Sequence, residues 1–362
     1  MIFVPMEHNI SELLIKKYLQ VKRDLPWRDT NDPFRIWLSE VILQQTRVNQ
    51  GLPYYLAFVE RFPDVCSLAL APEDEVLKLW QGLGYYSRAR NMHRTARIVA
   101  EKYGNRFPSS YDRLIELKGI GPYTASAVAS FAAGEPFAVV DGNVNRVISR
   151  LFGIRECVDT AKGKKAVAEA AQSILDPGRP GLHNQAVMEL GALICTPRNP
   201  ACDECPLAPY CVAFAEKRMT DYPFKKEKKP VRHRHFTYWM MEDGESVLLQ
   251  KRDETDIWGG LYQFPLTESD EAPDPGELLR IPAAHFGLAE EDIAGRTEFA
   301  PVKHILTHRH LSVRFIHLSV KRLPETAGTL AVPLHEARKY PFPVVIANFV
   351  NGSHPELFSG RV

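Results

Sequence analysis

The sequence of 362 residues contains no apolar run near the ~18 residues that a membrane-spanning helix requires. Its first residues, MIFVPMEHNI, lack the basic and long apolar segments of a secretory signal, so we expect a cytoplasmic protein with no membrane contact. The net charge is only +1, so bulk charge does not indicate a nucleic-acid partner. The remaining possibility is a globular protein of ordinary composition, with 45% hydrophobic residues and chain enough for two or three domains.

Cysteine is scarce, but four of the six cysteines fall within one short stretch. Cys195, Cys202, Cys205 and Cys211 have the spacing C-x6-C-x2-C-x5-C. In a reducing compartment such a group is more typical of metal ligands than of disulfides. Zinc and a 4Fe–4S cluster are both candidates, although zinc sites usually contain two CxxC pairs and this stretch has one.

Strand-like alternation is nearly absent before about residue 147, where apolar residues recur with helical spacing instead. A basic stretch, KRMTDYPFKKEKKPVRHRH, follows at residues 217–235, and beyond it the pattern changes to period two. We therefore predict a mainly α region at 1–216, a basic linker at 217–235 and an α+β domain at 236–362. Whether the linker contacts DNA is left open, because charged linkers are usually only solvated.

The most informative stretch is residues 117–147, LKGIGPYTASAVASFAAGEPFAVVDGNVNRV. Gly119 and Gly121 form a tight turn directly before a helix of small residues, and we expect both to adopt backbone conformations that a Cβ would forbid. Exposed N–H groups at a helix N-terminus favour an anion, and the phosphate of a nucleic acid is the predicted one. An extended apolar segment then ends in Asp141, at a fixed distance from this phosphate site. Alone, such a glycine turn is more typical of a simple connection between packed helices.

Glu40 is the only charged residue between Arg35 and Arg47. It could belong to a polar stripe with Gln44, one helical turn later. Its neighbours are unusually apolar, however, and this favours a desolvated carboxyl group with a raised pKa. A carboxylic acid that keeps its proton near neutral pH is suited to general-acid catalysis.

These features together resemble the MutY family of adenine DNA glycosylases, in the endonuclease III-like superfamily with the helix–hairpin–helix and Gly/Pro–Asp motif. The motifs that carry the resemblance are Pro26-Trp27-Arg28, SEVILQQT at 39–46, GLGYY at 82–86, GIGPY at 119–123 and VDGNV at 140–144. The resemblance covers the whole chain, with a looser match in the last third. It implies a base-excision repair enzyme that removes adenine opposite 8-oxoguanine or guanine in double-stranded DNA.

The resemblance also implies a fold and a cofactor. The expected fold is a mainly α helix–hairpin–helix glycosylase part with an iron–sulfur loop at 195–211, followed by a Nudix-like α+β domain for lesion recognition. The expected cofactor is a 4Fe–4S cluster on the four cysteines. The acidic Nudix signature is missing, so we expect no pyrophosphate hydrolysis. We expect the protein to be a monomer.

Roles for individual side chains follow from the same resemblance. Glu40 is expected to protonate the leaving adenine, Asp141 to stabilise or capture the sugar cation, and Asn143 to hold Asp141 or a water. Tyr123 stands where bifunctional relatives have a lysine that forms a Schiff base with the sugar. The expected enzyme is therefore a monofunctional hydrolase.

Several further residues are expected to contact DNA. Gln45, Leu83 and Tyr85 resemble the family residues that wedge into the duplex opposite the lesion. Alone, Leu83 and Tyr85 are more typical of core residues. In the C-terminal domain, Thr307 and His308 stand where the family has Ser-His at the oxidised guanine. The threonine keeps the hydroxyl and adds a methyl group.

Two alternatives remain at this point. A bifunctional endonuclease III-like glycosylase and lyase is disfavoured by Tyr123 and by the second domain. A catalytically inactive iron–sulfur protein that only binds DNA would need neither Glu40 nor Asp141. Release of adenine from defined duplexes discriminates among the three functions.

Overall fold

The computed structural model describes residues 6–227, 230, 232–306 and 309–353. These residues divide into two compact units. The helical unit comprises the described residues up to Leu70 together with Asn91–Glu227. The sheet unit comprises Ala71–Arg90 and the described residues beyond Glu227. A segment from the middle of the helical sequence thus belongs to the sheet unit.

Up to residue 227, the described chain forms helices and no strands. The α-helices are α1 (Met6–Val21), α2 (Pro33–Leu43), α3 (Val48–Arg61), α4 (Val65–Leu70), α5 (Glu73–Leu79), α6 (Ser87–Tyr103), α7 (Tyr111–Ile115), α8 (Pro122–Ala133), α9 (Gly142–Phe152), α10 (Ala161–Ser173), α11 (Pro180–Leu193) and α12 (Val212–Ala215). Short 3₁₀ helices lie at Cys202–Glu204 and Ala208–Tyr210. None of the helices in the described ranges is long and apolar enough to cross a bilayer.

Local capping fixes the helices that carry the site. Asp32 accepts a hydrogen bond from the backbone N–H of Phe34 and is followed by a proline, so α2 begins there. Pro122 opens α8, and Gly134, with φ +67°, ends it in the left-handed conformation that favours glycine. Asp141 is the N-cap of α9. The start of α9 is therefore set by the residue that the sequence marks as catalytic.

Small residues allow α11 to approach its neighbours closely. A Cβ added at Gly191 would stand 2.7 Å from the Cβ of Asn143, and one added at Gly181 would stand 3.0 Å from the carbonyl oxygen of Ser130. Between these two contacts, buried Asn184 donates to Ser130 Oγ at 2.8 Å and accepts from the N–H of Val139 at 3.0 Å. These contacts hold the extended segment that leads to Asp141.

The sheet unit contains an eight-stranded mixed sheet and further helices. The strands are β1 (Arg232–Glu242), β2 (Ser246–Lys251), β3 (Tyr262–Gln263), β4 (Leu266–Ser269), β5 (Ile293–Glu298), β6 (Val302–Leu306), β7 (Arg309–Val320) and β8 (Thr329–Pro333). The path runs β3-β2-β1-β7-β5, with β4 on β1, β6 on β7 and β8 on β2. Helices α13 (Pro275–Phe286) and α14 (Val344–Asn348), a 3₁₀ helix at Leu334–Lys339 and a π-helix at Phe349–Ser353 complete it.

Strand β1 is the centre of this sheet and pairs with β7 in parallel. Its alternate side chains enter two different cores. Phe236 and Tyr238 belong to a cluster completed by α14, whereas Trp239 and Met241 belong to a cluster completed by α13. Because both faces are covered, β1 is apolar at successive positions and not only at alternate ones.

The stretch at 217–235 is not uniformly a solvated linker. Tyr222 is buried, and the carbonyl oxygen of Phe224 accepts a hydrogen bond from the N–H of Val158 at 2.9 Å. Arg232 is already the first residue of β1. Apolar residues among the basic ones explain why the first part packs on the helical unit.

Candidate active site and cysteine loop

An open cleft of about 740 Å³ lies within the helical unit. Glu40 from α2, Tyr123 from α8, and Asp141 and Asn143 from the start of α9 all line it. The structure therefore brings together the four side chains for which the sequence predicts catalytic roles.

Glu40 is buried, with 5% of its surface exposed, and not on a solvated polar stripe. The Tyr123 hydroxyl donates a hydrogen bond to Glu40 Oε2 at 2.5 Å. Burial raises the pKa of Glu40 to about 7, the Tyr123 hydrogen bond opposes this rise, and the charge of Asp141 adds to it. Glu40 is thus a carboxyl group that can hold a proton at neutral pH.

Tyr123 remains a hydrogen-bond donor under the same influences. Burial raises the pKa of its hydroxyl well above 10, and the negative charges of Glu40 and Asp141 raise it further. The phenol therefore keeps its proton and points it at Glu40. Tyr123 therefore offers no phenolate for nucleophilic attack at neutral pH.

Asp141 has two hydrogen bonds that favour its ionised form. Its Oδ1 accepts from the backbone N–H of Val144 at 2.7 Å, and its Oδ2 accepts from Asn143 Nδ2 at 2.9 Å. Burial raises the pKa of Asp141, and these hydrogen bonds and the charge of Arg146 oppose the rise. Asn143 therefore holds Asp141 directly.

The same hydrogen-bond chain continues to the cysteine loop. Arg146, one turn into α9, donates to Asn143 Oδ1 at 3.0 Å and to the carbonyl oxygen of Gly191 at 2.7 Å. Its Nε donates to the carbonyl oxygen of Cys195 at 2.7 Å. Sequence reasoning did not single out Arg146, because nothing in the pattern distinguishes it from a surface arginine.

The cleft also contains an ion-paired group that the sequence did not predict. Glu189 on α11 accepts hydrogen bonds from Arg23 at 2.6 Å and from Arg28 at 2.7 Å. Burial alone would raise the pKa of Glu189, but these partners lower it to about 2. Trp27 also lines the cleft beside this group. The available signal was that Glu189 is the single acid of α11 and has apolar neighbours in sequence, Met188 and Leu190, as Glu40 has apolar neighbours in α2.

The four predicted metal-ligating cysteines, Cys195, Cys202, Cys205 and Cys211, line one small cavity in the helical unit. Buried Arg150 lies there too and donates to Cys195 Sγ at 3.2 Å. Within the described ranges, no three His, Cys, Asp or Glu side chains are arranged to hold a single metal ion. Four thiols around one cavity are the donor set that a Cys-ligated 4Fe–4S cluster requires, so these residues fit that group.

The two positions of the predicted phosphate site differ in whether their backbone conformation requires glycine. Gly119 has φ +95°, and a Cβ there would also approach Asn91 Cβ at 3.2 Å. The backbone conformation at position 121 does not require glycine, because its φ is −95°, a value that any residue can adopt. The expectation that both conformations exclude a side chain is therefore wrong for Gly121. No described atom lies within 4 Å of a Cβ built there, so its surface is open to a close ligand.

The predicted wedge residues lie in both units. Gln45 is exposed in the helical unit, whereas Leu83 and Tyr85 belong to the sheet unit. Leu83 is buried, and Tyr85 is 44% exposed. Gln45 and Tyr85 have φ values of +57° and +48°, which are uncommon for residues other than glycine and concentrate at functional sites. Thr307 and His308, predicted to read the lesion, lie outside the described residues.

Comparison with family profiles divides the chain as follows. Residues 38–177 match the HhH-GPD superfamily of base excision DNA repair proteins, residues 195–211 the iron–sulfur binding domain of endonuclease III, and residues 237–352 the NUDIX domain. These matches confirm the predicted fold class, a helical glycosylase part followed by a Nudix-like domain. They also confirm the 4Fe–4S cluster as the cofactor.

Solved structures agree with this fold. A thermostable thymine-DNA glycosylase is 28% identical, over 58% of this chain and 97% of that one, with a TM-score of 0.53. Endonuclease III, solved in a complex with DNA, is 24% identical over 59% of this chain and 98% of that one, with a TM-score of 0.50. At that identity the second likeness shows the fold alone.

Curated relatives identify the family. The adenine DNA glycosylase of Buchnera aphidicola subsp. Schizaphis graminum is 37% identical over 70% of this chain and 74% of its own. That of Mus musculus is 34% identical over 87% of this chain and 71% of its own. The resemblance that the motifs indicated is confirmed at this level of identity and coverage. This chain belongs to the adenine DNA glycosylases, enzymes of base-excision DNA repair.

Proposed function

We propose that this chain hydrolyses the N-glycosidic bond of adenine lying opposite 8-oxoguanine or guanine in double-stranded DNA and leaves the strand intact. The observation that carries this proposal is the meeting of Glu40, Tyr123 and Asp141 in one cleft. One carboxyl group there holds a proton near pH 7, while burial raises the pKa of the other and hydrogen bonds from Val144 and Asn143 oppose that rise. An inactive DNA-binding protein would need neither arrangement.

The reaction needs two carboxyl groups in different states. Protonated Glu40 gives its proton to a ring nitrogen of adenine, so the base leaves neutral with the electron pair of the glycosidic bond. The deoxyribose is left as an oxocarbenium-like cation, which the carboxylate of Asp141 stabilises or captures. Water then supplies a hydroxyl to the anomeric carbon, and its proton returns to a carboxylate. The products are adenine and an abasic site.

The position of Asp141 is set before substrate arrives. Its carboxylate is held by the N–H of Val144 and by Asn143, so it need not reorient when positive charge develops on the sugar. The hydroxyl of Tyr123 performs the corresponding task for Glu40. It binds one carboxyl oxygen and leaves the other available for the base.

The base must leave the helical stack to reach this cleft. Trp27 and the Arg28–Glu189 pair line the same cleft and offer an aromatic face and fixed polar atoms. We propose that they receive the extruded adenine, by stacking on the ring and by hydrogen bonding to its edge. Gly119 and Gly121 would bind a backbone phosphate, and Gln45 and Tyr85 would fill the space in the duplex.

The alternative function, a lyase, deserves a direct test because one amine does line the cleft. Lys225 is exposed at the cleft wall, whereas Tyr123 occupies the position at which bifunctional relatives have lysine. We expect an abasic product that is cut only by later alkali. Borohydride should trap little protein on DNA. Trapping at stoichiometric levels that disappears in Lys225→Ala would show instead that Lys225 forms a Schiff base.

The four cysteines would hold the 4Fe–4S cluster through their thiolates. No step of the reaction is assigned to the cluster. Lesion reading by Thr307 and His308, the monomeric state, the boundaries at residues 216 and 236 and a cytoplasmic location remain predictions.

The experiment that tests the proposal measures adenine release under single-turnover conditions. Duplexes carry adenine opposite 8-oxoguanine, guanine or thymine, and the product strand is analysed with and without alkali. We expect the fastest release opposite 8-oxoguanine, slower release opposite guanine and the slowest opposite thymine. Equal rates on all three would refute the mispair preference, and strand cuts without alkali would refute the monofunctional mechanism.

A further inference from the structure

The segment Ala71–Arg90 lies within the glycosylase sequence but belongs to the sheet unit. It contains α5 and the Gly82–Tyr86 loop, which carries the proposed wedge residue Tyr85. The contacts of this segment are therefore contacts between the loop's support and the Nudix-like domain. Most of these contacts are hydrogen bonds from side chains of the segment to backbone atoms of the domain, whose positions the fold fixes.

Lys78 and Gln81 bind one short stretch of the C-terminal domain. Lys78 Nζ donates to the carbonyl oxygens of Arg338 at 2.6 Å and of Tyr340 at 3.1 Å. Gln81 Oε1 accepts from the backbone N–H of Phe342 at 3.1 Å. The ammonium group of Lys78 is partly desolvated, and burial lowers its pKa. A hydrogen bond from a charged donor to a carbonyl is stronger in such a setting than in water.

Arg90 anchors the other end of the segment. It is buried, with 8% exposure, and its guanidinium donates to the carbonyl oxygen of Gly259 and, at 3.5 Å, to that of Glu254. Gly260 has φ +80°, and a Cβ there would stand 3.4 Å from Arg90 Cδ. The backbone of residues 254–260 therefore wraps around this side chain.

A third contact involves Asp74 at the start of α5. Asp74 forms an ion pair with Lys251 at 2.8 Å and accepts a hydrogen bond from the Tyr262 hydroxyl at 3.0 Å. The Asp74 and Lys251 side chains are partly exposed, so this pair contributes less than the buried contacts. The three contacts together fix α5 and both ends of the segment on the sheet.

The loop is in turn fixed to the segment. Trp80 Nε1 donates to the carbonyl oxygen of Gly84 at 3.0 Å, and Arg88 Nη2 donates to the same oxygen at 3.3 Å. The Tyr86 hydroxyl accepts from the N–H of Gly82 at 3.1 Å. Gly82 and Gly84 have φ values of +104° and +73°, a backbone conformation that favours glycine, and the contacts above hold the loop in it. A displacement of the segment would therefore move Tyr85.

We propose that Lys78, Gln81 and Arg90 are positioning residues through which the C-terminal domain sets the loop of Leu83 and Tyr85 for insertion into the duplex. This inference rests on the proposed function, because it takes the loop as the wedge and the C-terminal domain as the reader of the opposite base. The inference adds a physical link between the wedge loop and the domain that reads the opposite base. When the domain engages the oxidised guanine, the loop is held in the geometry for insertion.

The experiment uses the full-length, cluster-loaded protein with Lys78→Met and Gln81→Met, which keep side-chain length but remove the donor or the acceptor. Two quantities are measured. One is the ratio of single-turnover adenine release opposite 8-oxoguanine to that opposite guanine. The other is the rate at which 2-aminopurine, placed beside the target adenine, unstacks before release. We expect both to fall about tenfold or more, the size of one hydrogen bond to a charged or buried group.

Matched variants separate positioning from stability. Lys321→Met, at an exposed lysine of the same unit, should change neither quantity. Gln81→Glu keeps the oxygen that accepts from Phe342 N–H and should restore most of the ratio lost in Gln81→Met. Iron content and melting temperature are recorded for each variant. If Lys78→Met does not fold, the Gln81 pair decides the question, since Gln81→Glu keeps the accepting oxygen that Gln81→Met removes.

The possible outcomes are distinct. Equal falls in both release rates, with an unchanged ratio and normal unstacking, would overturn the inference and leave only a structural role. An unchanged ratio and unchanged unstacking would overturn it too. A wild-type protein that releases adenine from neither duplex would refute the proposed function. The unstacking rate of Gln81→Met against Gln81→Glu would then still decide the inference.

Discussion

Replacing Glu40 by glutamine should abolish adenine release and, at the same time, stabilise the protein at alkaline pH. Both effects have one cause. Glu40 is buried in the cleft, and its burial raises its pKa from 4.5 to about 7. Glutamine keeps the shape and an oxygen for the Tyr123 hydroxyl, but it has no proton to give and no charge to bury.

The size of the stability effect follows from the pKa. A rise from 4.5 to about 7 corresponds to about 3 kcal/mol, at about 1.4 kcal/mol per pH unit. Because the folded protein holds this proton more tightly than the unfolded chain, the contribution is fully present below about pH 4.5 and is lost as pH rises to about 7. Glu40→Gln has no such loss of stability. The difference in free energy of unfolding in favour of the variant should therefore grow between about pH 4.5 and about pH 7 and stay constant at higher pH.

The activity effect has its own pH signature. General-acid catalysis contributes about 10²- to 10⁴-fold, and Glu40→Gln should lose a factor of that order in single-turnover release. In the wild type the rate should fall about tenfold per pH unit above about pH 7, as the protonated fraction of Glu40 declines. DNA affinity, measured by fluorescence anisotropy, should change little, because the proposed role of Glu40 is to protonate the leaving base and not to bind the DNA backbone.

The assay compares melting temperature and release rate from pH 5 to pH 9 for the wild type, Glu40→Gln and Glu60→Gln. Glu60 is an exposed glutamate on α3, and its variant should follow the wild type in both measurements. Release by Glu40→Gln within threefold of the wild-type rate would exclude Glu40 as the acid. A variant whose melting temperature tracks the wild type at every pH would show that the carboxyl group is not desolvated.

Three further predictions concern the other parts of the chain. Asp141→Asn should lose at least about a hundredfold in adenine release yet melt near the wild type, since asparagine caps a helix as well as aspartate; full activity, measured in single turnover, would contradict its role. Protein purified without oxygen should contain about four irons per chain by metal analysis, whereas stoichiometric zinc would refute the cluster. Thr307→Ala with His308→Ala should lower the preference for 8-oxoguanine over guanine roughly tenfold to a hundredfold, as expected for one or two base-edge contacts; an unchanged ratio would place lesion reading elsewhere.

The sequence predicts those parts of the fold and site that depend on short-range patterns. Asp32 before a proline predicts the start of α2, and the apolar neighbours of Glu40 predict its burial, because both signals lie within one or two helical turns. The four cysteines are equally readable, since their spacing restricts where their thiols can meet.

Long-range partners could not be read in this way. Arg146 differs from a surface arginine because the fold brings the carbonyl oxygens of Gly191 and Cys195 within hydrogen-bond distance of it. Leu83 was expected at a DNA surface, yet it is buried in the structure, with 6% of its surface exposed. The left-handed backbone of Gln45 is a property of the folded chain and not of the residue type. Such features depend on residues that are remote in sequence.

The division of the sheet unit into two pieces of chain has a consequence for how the protein is made. Ala71–Arg90 leaves the ribosome before the whole of Asn91–Glu227, and its partners on the sheet follow only after that stretch. At about 5–20 residues per second, the delay is on the order of ten seconds. During this time Lys78, Gln81 and Arg90 lack the backbone partners at Arg338, Phe342 and Gly259 that they bind in the finished protein. A nascent chain stalled after Glu227 should therefore carry a protease-sensitive segment at 71–90 that becomes protected when synthesis is completed.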